Sequence, residues 1–241
     1  TRRSSDLLRL RGDGAAVVAA VCNRVDRARA VFELLRTAGE AVLMTGRIRP
    51  WDRARVAAEY LPRIAVGSRS QRAPLFVVAT QTIEVGADLD LDALVSECAP
   101  LSALRQRCGR VNRLGELPSA PLAIVYQKPE GKTDPVYGDE VERTWKWLQR
   151  VAAGKPPTVD FGIAAMARLM AEQPPSVEAE QQAPVLLPAH VELLARTSVR
   201  HGIDIAPWLH GWRSDAAEVY LCWRADWAAS SVAAAPPAQH E

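Results

Sequence analysis

Short apolar runs alternate with stretches of helical periodicity over residues 1–155. Five of these runs predict buried strands, because uninterrupted apolar sequence is typical of strands that are covered on both faces of a parallel sheet. The predicted strands cover residues 15–21, 41–44, 75–79, 93–96 and 122–126. Strands that alternate with helices over short links predict an α/β domain, in which a mainly parallel sheet is flanked by helices. Ligands of such a domain gather at the carboxyl ends of the strands.

The segments between the strands carry apolar residues at three- and four-residue spacing. The first predicted helix runs from Val25 to Leu35 and ends before Gly39. The second begins at Pro50, is rich in arginine and runs towards Pro62. Both helices therefore connect one buried strand to the next.

The remainder of the chain is helical at first and then changes character. Val141, Trp145 and Leu148 share a helix face. We predict one domain over residues 1–155, a helix and linker over 156–183, and part of a small C-terminal domain over 184–241 with a disordered tail. That last stretch holds four tryptophans, which we expect to pack its core: Trp208, Trp212, Trp223 and Trp227.

The composition excludes several classes of protein. Hydrophobic residues make up 48% of the 241 residues, which supports a packed core and excludes a disordered chain. No apolar run approaches the ~18 residues of a membrane span, and no charged-then-apolar leader begins the chain, so we expect a cytoplasmic protein that binds no membrane. The four cysteines form no CxxC pair and the four histidines show no ligand spacing. We therefore expect reduced, mostly buried thiols and no metal site.

The net charge of +2 conceals a local asymmetry. Residues 46–72 contain seven arginines against Asp52 and Glu59, while residues 84–97 contain five acids. Such a patchwork suits a protein that meets phosphates at chosen places. The alternative is codon bias, since only four of the 30 basic residues are lysine. The abundance of arginine therefore indicates little about phosphate binding, and only the position of each arginine is informative.

The segment 101–113, LSALRQRCGRVNR, has the strongest chemical pattern. We predict one helix capped by Ser102, in which Gln106, Arg110 and Arg113 fall within about 60° of arc. The predicted opposite face is apolar: Leu101, Leu104, Cys108 and Val111. Two arginines on one face repel each other unless an external anion joins them, and the guanidinium fork suits a phosphate. On a transferring phosphoryl group such a side chain acts as an arginine finger. The alternative is an ordinary solvated face.

A second pattern lies at the end of the third predicted strand, in FVVATQTIEVGADLD over residues 76–90. Thr80 and the backbone beside it can contact a nucleic-acid phosphate. Gly86 permits a close approach or a positive φ, and Asp88 can accept from a ribose hydroxyl. By itself, this segment would also fit an ordinary strand-to-loop turn.

Taken together, the two segments resemble motifs V and VI of superfamily 2 helicases. QRCGRVNR carries the pattern QxxGRxxR, and ATQTIEVGADLD is similar to a narrower group, the helicase–nuclease of type I CRISPR systems. Residues 184–198 and 219–227 are similar to its type I-U, or I-G, branch. The resemblance implies that this chain carries the second RecA-like lobe of an ATP-dependent motor that unwinds target DNA for degradation.

The same resemblance implies a role for each motif residue. Gln106 and Arg110 would lie at the γ-phosphate of ATP, with Arg113 as the companion finger. Gly86 and Asp88 would bind the nucleotide. The residues implied at the DNA backbone and track are Thr80, Gln81, Arg47 and Arg49.

The resemblance also implies partners. A first RecA-like lobe, in the same or another chain, would hold most of the ATP and the Mg²⁺, so this chain alone is expected to be inactive. Single-stranded DNA and the surveillance complex Cascade are the other implied partners. Two alternatives from the same residues are a non-catalytic RecA-like module that docks nucleic acid or protein, and a lobe of another superfamily 2 DNA or RNA helicase.

Two short motifs suggest nucleotide chemistry and are rejected. Gly131-Lys132-Thr133 resembles the end of a Walker A loop, but the earlier glycine is absent and Pro135 follows. We predict a turn there. Asp139-Glu140-Val141-Glu142 resembles a DExD box, but its periodicity predicts the acidic start of a helix.

Overall fold

Five parallel strands form one sheet in the order β2-β3-β1-β4-β5. The computed structural model describes residues 2–46, 48–84, 88–128, 131, 133–175 and 187–195. The strands are β1 (Val17–Val21), β2 (Ala41–Met44), β3 (Leu75–Ala79), β4 (Ala93–Glu97) and β5 (Leu122–Val125). Every residue of β1, β3 and β4 is buried, which explains their apolar sequences. The predicted parallel α/β fold is confirmed.

Seven helices belong to the part of the chain that the structure describes. They are α1 (Arg2–Gly12), α2 (Val25–Leu35), α3 (Pro50–Ile64), α4 (Leu101–Cys108), α5 (Glu140–Val151), α6 (Ile163–Glu172) and α7 (Pro188–Leu194). The chain divides into two units, Thr1–Glu178 and Ala179–Glu241, and α7 is the described helix of the second unit. The domain boundaries at 155 and 183 stay a prediction. None of the described helices combines the length and apolarity needed to cross a bilayer.

One face of the sheet is covered by α1 and α2. Val18 and Val78 point to this face and pack with Leu7 of α1 and with Ala28 and Leu35 of α2. The periodicity did not predict α1, because its apolar residues are few and lie among four arginines over residues 2–11. Its buried leucines find their partners on strands that lie far along the sequence.

The other face is covered by α3 and by loop residues. Ile64 of α3 is completely buried against this face, beside Leu89 and Leu91. The helix continues past Pro62, where the sequence predicted its end, and Ala65 N still donates to Leu61 O at 2.8 Å. Burial of Ile64 explains why the last turn is kept.

A third apolar cluster joins α4, α5 and α6. Leu104 of α4 packs with Trp147 and Leu148 of α5 and with Met166 of α6. Helix α5 begins at Glu140 and carries two acids in its first turn, so the interpretation of the DExD-like tetrapeptide as a helix start is confirmed. This cluster fixes α4, whose C-terminal end leads into the candidate site.

Candidate functional site

The loop after β3 is fastened to the ends of both neighbouring strands. Thr80 is 4% exposed, and its amide donates to Met44 O at 3.2 Å. Thr82 Oγ1 donates to the same carbonyl at 3.0 Å, and Gln81 Nε2 donates to Asn23 O at 3.0 Å. Thr80 and Gln81 therefore lie at the carboxyl edge of the sheet, where the ligands of parallel α/β domains gather.

Asn23 connects the ends of β1 and β4 at the same edge. Its amide donates to Glu97 Oε2 at 2.7 Å, and its side-chain Nδ2 donates to Cys98 O at 2.8 Å. Glu97 is itself buried and forms an ion pair with Arg27 at 3.1 Å. These contacts make the edge rigid, and the sequence interpretation did not identify them.

Helix α4 ends earlier than predicted. It stops at Cys108, and its N-cap position is Pro100, so both the helix over 101–113 and the cap at Ser102 are wrong. At Gly109 a Cβ atom would lie only 3.2 Å from Arg105 O, which explains the glycine at this turn. Gln106 remains exposed on the last helical turn, whereas Arg110 and Arg113 lie beyond the helix. The shared helix face therefore does not exist, and the loop beyond the helix positions Arg110 and Arg113 instead.

Residues 109–117, here named the arginine loop, run beside the segment that leads into β4. Leu91 N donates to Arg110 O at 2.7 Å, and Asn112 N donates to Leu91 O at 2.8 Å. Asn112 has a φ of +47°, a conformation that asparagine tolerates better than most residues. Its side chain also bonds both the amide and the carbonyl of Leu117, at 2.9 and 2.7 Å. The arginine loop is thus closed by its own asparagine.

The arginine loop brings the two predicted finger residues to the loop that follows β3. Arg110 Nη2 donates to Glu84 O at 2.7 Å, and Arg113 Nη1 pairs with Asp88 Oδ1 at 2.9 Å. Burial lowers the pKa of the Arg110 guanidinium, and the charge of Arg113 lowers it further, while Asp88 acts in the opposite direction. Arg110, Arg113 and Asp88 are therefore neighbours. Gly86 lies outside the described residues.

Arg107 has a different role from its two neighbours in the motif. Its side chain is completely buried, and both Nε and Nη2 lie 2.8 Å from Glu84 Oε1. Nη1 donates to Ser96 Oγ and to Glu97 O at 3.0 and 3.1 Å, and Nη2 donates to Tyr137 Oη at 3.3 Å. Arg107 thus joins the loop after β3 to β4 and to the segment before α5.

The sequence contains an indication that the side chain of Arg107 is buried. Arg107 follows Leu101 and Leu104 at three-residue intervals, so a helix places it towards their apolar face. Its acidic partner Glu84 lies 23 positions earlier, and the sequence pattern did not connect the two.

The arginine-rich stretch 46–72 is largely neutralised by internal acids. Arg63 donates to both carboxylate oxygens of Glu40, at 2.6 and 2.8 Å. Arg69 and Arg72 pair with Asp90 and Asp92, whose burial the sequence did not predict. These three arginines are therefore held by internal acids, and the predicted DNA contacts in this stretch were Arg47 and Arg49 alone.

Arg49 remains accessible near the carboxyl edge of the sheet. It occupies the N-cap position of α3, keeps 76% of its side chain exposed and pairs with Asp52 at 2.6 Å. Arg47, its predicted companion on the DNA track, lies outside the described residues.

The remaining candidates behave as structural elements. The three described cysteines, Cys22, Cys98 and Cys108, are buried thiols outside any disulfide, and burial raises the pKa of Cys98 and Cys108 to about 12. Within the described ranges, no cluster of three histidines, cysteines or acids could hold a metal ion. The segment after Gly131 forms a turn closed by Asp134 and Gly138, whose backbones bond each other at 2.9 and 3.2 Å.

Residues 14–116 match the family described as CRISPR-associated nuclease/helicase Cas3, C-terminal. Over 97 residues the chain is 37% identical to the CRISPR-associated helicase Cas3 of Thermoproteus tenax, which covers 40% of this chain and 16% of the relative. Over 98 residues it is 35% identical to a protein of Methanocaldococcus jannaschii that is named as a Cas3 nuclease/helicase, covering 41% and 13%. The chain thus spans less than a fifth of either relative.

A solved structure has the same fold over a larger share of the chain. The crystal structure of T. fusca Cas3 with ATP aligns with a TM-score of 0.51 and 26% identity, covering 61% of this chain and 19% of the other. The matched family segment includes the arginine loop up to Glu116 and the whole loop after β3.

Proposed function

We propose that residues 14–116, which match the family described as CRISPR-associated nuclease/helicase Cas3, C-terminal, act as the second, arginine-donating lobe of an ATP-driven DNA motor. The observation that carries this proposal is the meeting of Arg110, Arg113 and Asp88 at the surface of the domain. Such a lobe completes an ATP site that a first RecA-like lobe begins, and closure of the two lobes drives movement along single-stranded DNA. In a type I CRISPR system this movement would unwind target DNA for degradation.

The two arginines suit a polyphosphate because both have partners that an anion can displace. Arg113 is paired with Asp88, whose side chain is 73% exposed. Arg110 donates to a neutral backbone carbonyl and lies close enough to Arg113 for its pKa to be lowered. A γ-phosphate between the two guanidinium groups would relieve their repulsion, and the planar fork bonds phosphate oxygens in pairs.

The other nucleotide contacts are divided between the lobes. Asp88, released from Arg113, would accept from the ribose hydroxyl, and Gln106 would reach the γ-phosphate from the end of α4. The described residues offer no cluster that fits Mg²⁺, so the first lobe would hold the metal. When bound, Mg²⁺ neutralises charge on the β- and γ-phosphates.

DNA would follow the carboxyl edge of the sheet. Gln81 lies there between the ends of β1 and β2, next to Thr80, which is buried in this structure, and Arg49 is exposed at the start of α3. Contacts of this kind bind the backbone and are indifferent to base sequence. The surveillance complex Cascade remains the predicted partner that recruits the motor.

The experiment that tests the proposal uses the full-length protein that contains this segment together with its first lobe. Arg110→Ala and Arg113→Ala should each lower ATP turnover by about 10³-fold or more, the scale of an arginine finger. Lysine should restore little, because a point charge lacks the planar fork. DNA binding without nucleotide should stay near wild type.

Arg105→Ala is the matched control, since Arg105 is exposed on the neighbouring helix α4 and has no proposed role. It should keep wild-type turnover. If Arg110→Ala keeps its turnover and loses DNA binding, the arginine loop faces DNA and the proposal is wrong.

Thr80→Ala should separate the two activities. Basal ATP hydrolysis should persist while stimulation by DNA and unwinding fall, and Thr80→Ser should restore both because it keeps the hydroxyl. A docking module without catalysis would instead show no turnover change in any of these variants.

A further inference from the structure

A buried charge cluster of four residues contacts the arginine loop. Arg69 and Arg72 come from the segment between α3 and β3, and Asp90 and Asp92 come from the segment that leads into β4. The side chains of Arg72, Asp90 and Asp92 are 1%, 0% and 8% exposed. Buried charges are costly unless they are paired, and each of these four side chains is paired with both oppositely charged side chains of the cluster.

Both arginines share both carboxylates. Arg72 lies 3.0 Å from Asp90 Oδ2 and 2.6 Å from Asp92 Oδ1. Arg69 lies 2.8 Å from the same oxygen of Asp90 and also pairs with Asp92 Oδ1. Neither carboxylate can rotate without breaking two ion pairs.

Each carboxylate uses its second oxygen to hold one backbone amide. Asp90 Oδ1 accepts from Arg113 N at 2.8 Å, whereas Asp92 Oδ2 accepts from Val17 N at 2.8 Å. The arginine loop is held again at its far end, where Arg69 Nε donates to Glu116 Oε2 at 2.8 Å. One acid thus anchors the arginine loop, and its neighbour anchors the start of β1.

We infer that Asp90 is a positioning residue for the ATP chemistry of the proposed motor, acting through the backbone of Arg113. The inference rests on the proposed function. A guanidinium at the end of a long side chain inherits any displacement of its own backbone, and a misplacement of about 1 Å at a reacting group can cost about 10²-fold in rate. Asp90 prevents that displacement because Arg69 and Arg72 together fix its carboxylate.

Asp90→Asn and Asp92→Asn form a matched pair of variants. Each removes one negative charge from the same two arginines and leaves the size of the side chain unchanged. The NH2 group of the new asparagine faces another hydrogen-bond donor in either amide orientation. In one orientation that donor is an arginine, and in the other it is a backbone amide. Only the identity of that amide differs, Arg113 in one variant and Val17 in the other.

In the full-length protein, Asp90→Asn should lower kcat for ATP about 10- to 10²-fold with little change in KM or in DNA binding. Asp92→Asn should keep most of its kcat, although it should lose as much thermal stability as Asp90→Asn does. Adding Asp90→Asn to Arg113→Ala should cause no further loss, because the guanidinium that Asp90 positions is already absent. Equal kcat losses in the two asparagine variants, or a further loss in the double variant, would overturn the inference.

Amide hydrogen exchange of the 241-residue chain tests the anchor independently of catalysis. Exchange over residues 109–117 should rise in Asp90→Asn and not in Asp92→Asn, and the amide of Val17 should show the reverse pattern. Unchanged exchange at the arginine loop in Asp90→Asn would sink the inference even where the proposed function holds. Conversely, if Arg113→Ala leaves turnover intact, the proposed function fails, whatever the exchange data show.

Discussion

The buried charge cluster and the arginine loop each contain two arginines close to aspartates, yet they suit opposite purposes. In the cluster, Arg69 and Arg72 share two buried carboxylates. In the arginine loop, Arg113 has one highly exposed carboxylate and Arg110 donates to a carbonyl. The first pair is held by buried carboxylates, whereas the partners of the second pair include an exposed carboxylate and a backbone carbonyl, which an external anion can displace.

The difference teaches that exposed, exchangeable partners distinguish a binding arginine from a structural one. The number of arginines in a stretch does not. Residues 46–72 hold seven arginines, and three of them are committed to internal acids. The arginine loop holds two and is the better anion site.

The largest expected effect on stability comes from breaking the buried charge cluster. Arg72→Ala leaves Asp90 and Asp92 buried with fewer cations, so we expect a loss of about 3–5 kcal/mol in the free energy of unfolding. Arg113→Ala removes a largely exposed pair and should cost at most about 1 kcal/mol. Urea denaturation of the two variants measures the contrast. Similar losses in both would show that the two regions do not differ as described.

A smaller effect should separate the arginines of residues 46–72 by their partners. The chain should bind single-stranded DNA weakly, with an affinity that falls steeply between ~50 and ~200 mM salt. Arg49→Gln should reduce the slope of log affinity against log salt by about 1, the change expected for one lost phosphate contact. Arg63→Gln is the control, because Glu40 already holds Arg63. An equal change of slope in both variants would contradict the assignment.

The smallest expected effect is that two buried cysteines do not react with an alkylating reagent. They are Cys98, which follows β4, and Cys108, which ends α4. Burial raises the pKa of Cys98 and Cys108 to about 12 by disfavouring the thiolate, so both thiols should resist iodoacetamide at pH 8. Peptide mapping in buffer and in urea measures this, with the unfolded chain as the positive control. Rapid labelling of Cys108 in buffer would show that the junction between α4 and the arginine loop opens readily, which a fixed loop does not allow.

Local pattern predicted the strands well and the arginine loop poorly. The run at 75–79 coincides with β3, because a strand that is buried on both faces has an uninterrupted apolar sequence. Residues 15–21 began two positions before β1, because Ala15 and Ala16 are apolar and yet precede the strand. The segment 101–113 was extended as one helix, because helical spacing alone does not register the break at Gly109.

The motif resemblance identified residues that the structure brings together, but it gave no account of what holds them. Arg110, Arg113 and Asp88 were assigned from the two motifs, and they are neighbours in the fold. In the sequence, Asp90 was only one of the five acids in residues 84–97, with no indication of its role. Its role depends on Arg69 and Arg72. These two arginines lie beside Asp90 because the chain brings the end of α3 next to the segment that leads into β4.

The place of β1 in the sheet also sets the order in which the domain can be completed. β1 comes first among the five strands along the chain and lies in the middle of the sheet, where Val17 pairs with Leu75 and Val18 with Ala93. Its hydrogen-bonding partners emerge from the ribosome much later, so α1 and α2 can form while the strand they cover still has both edges open. These pairings join residues far apart along the chain, and closing such long loops is slow compared with forming a helix, so we expect the sheet to be completed late in folding.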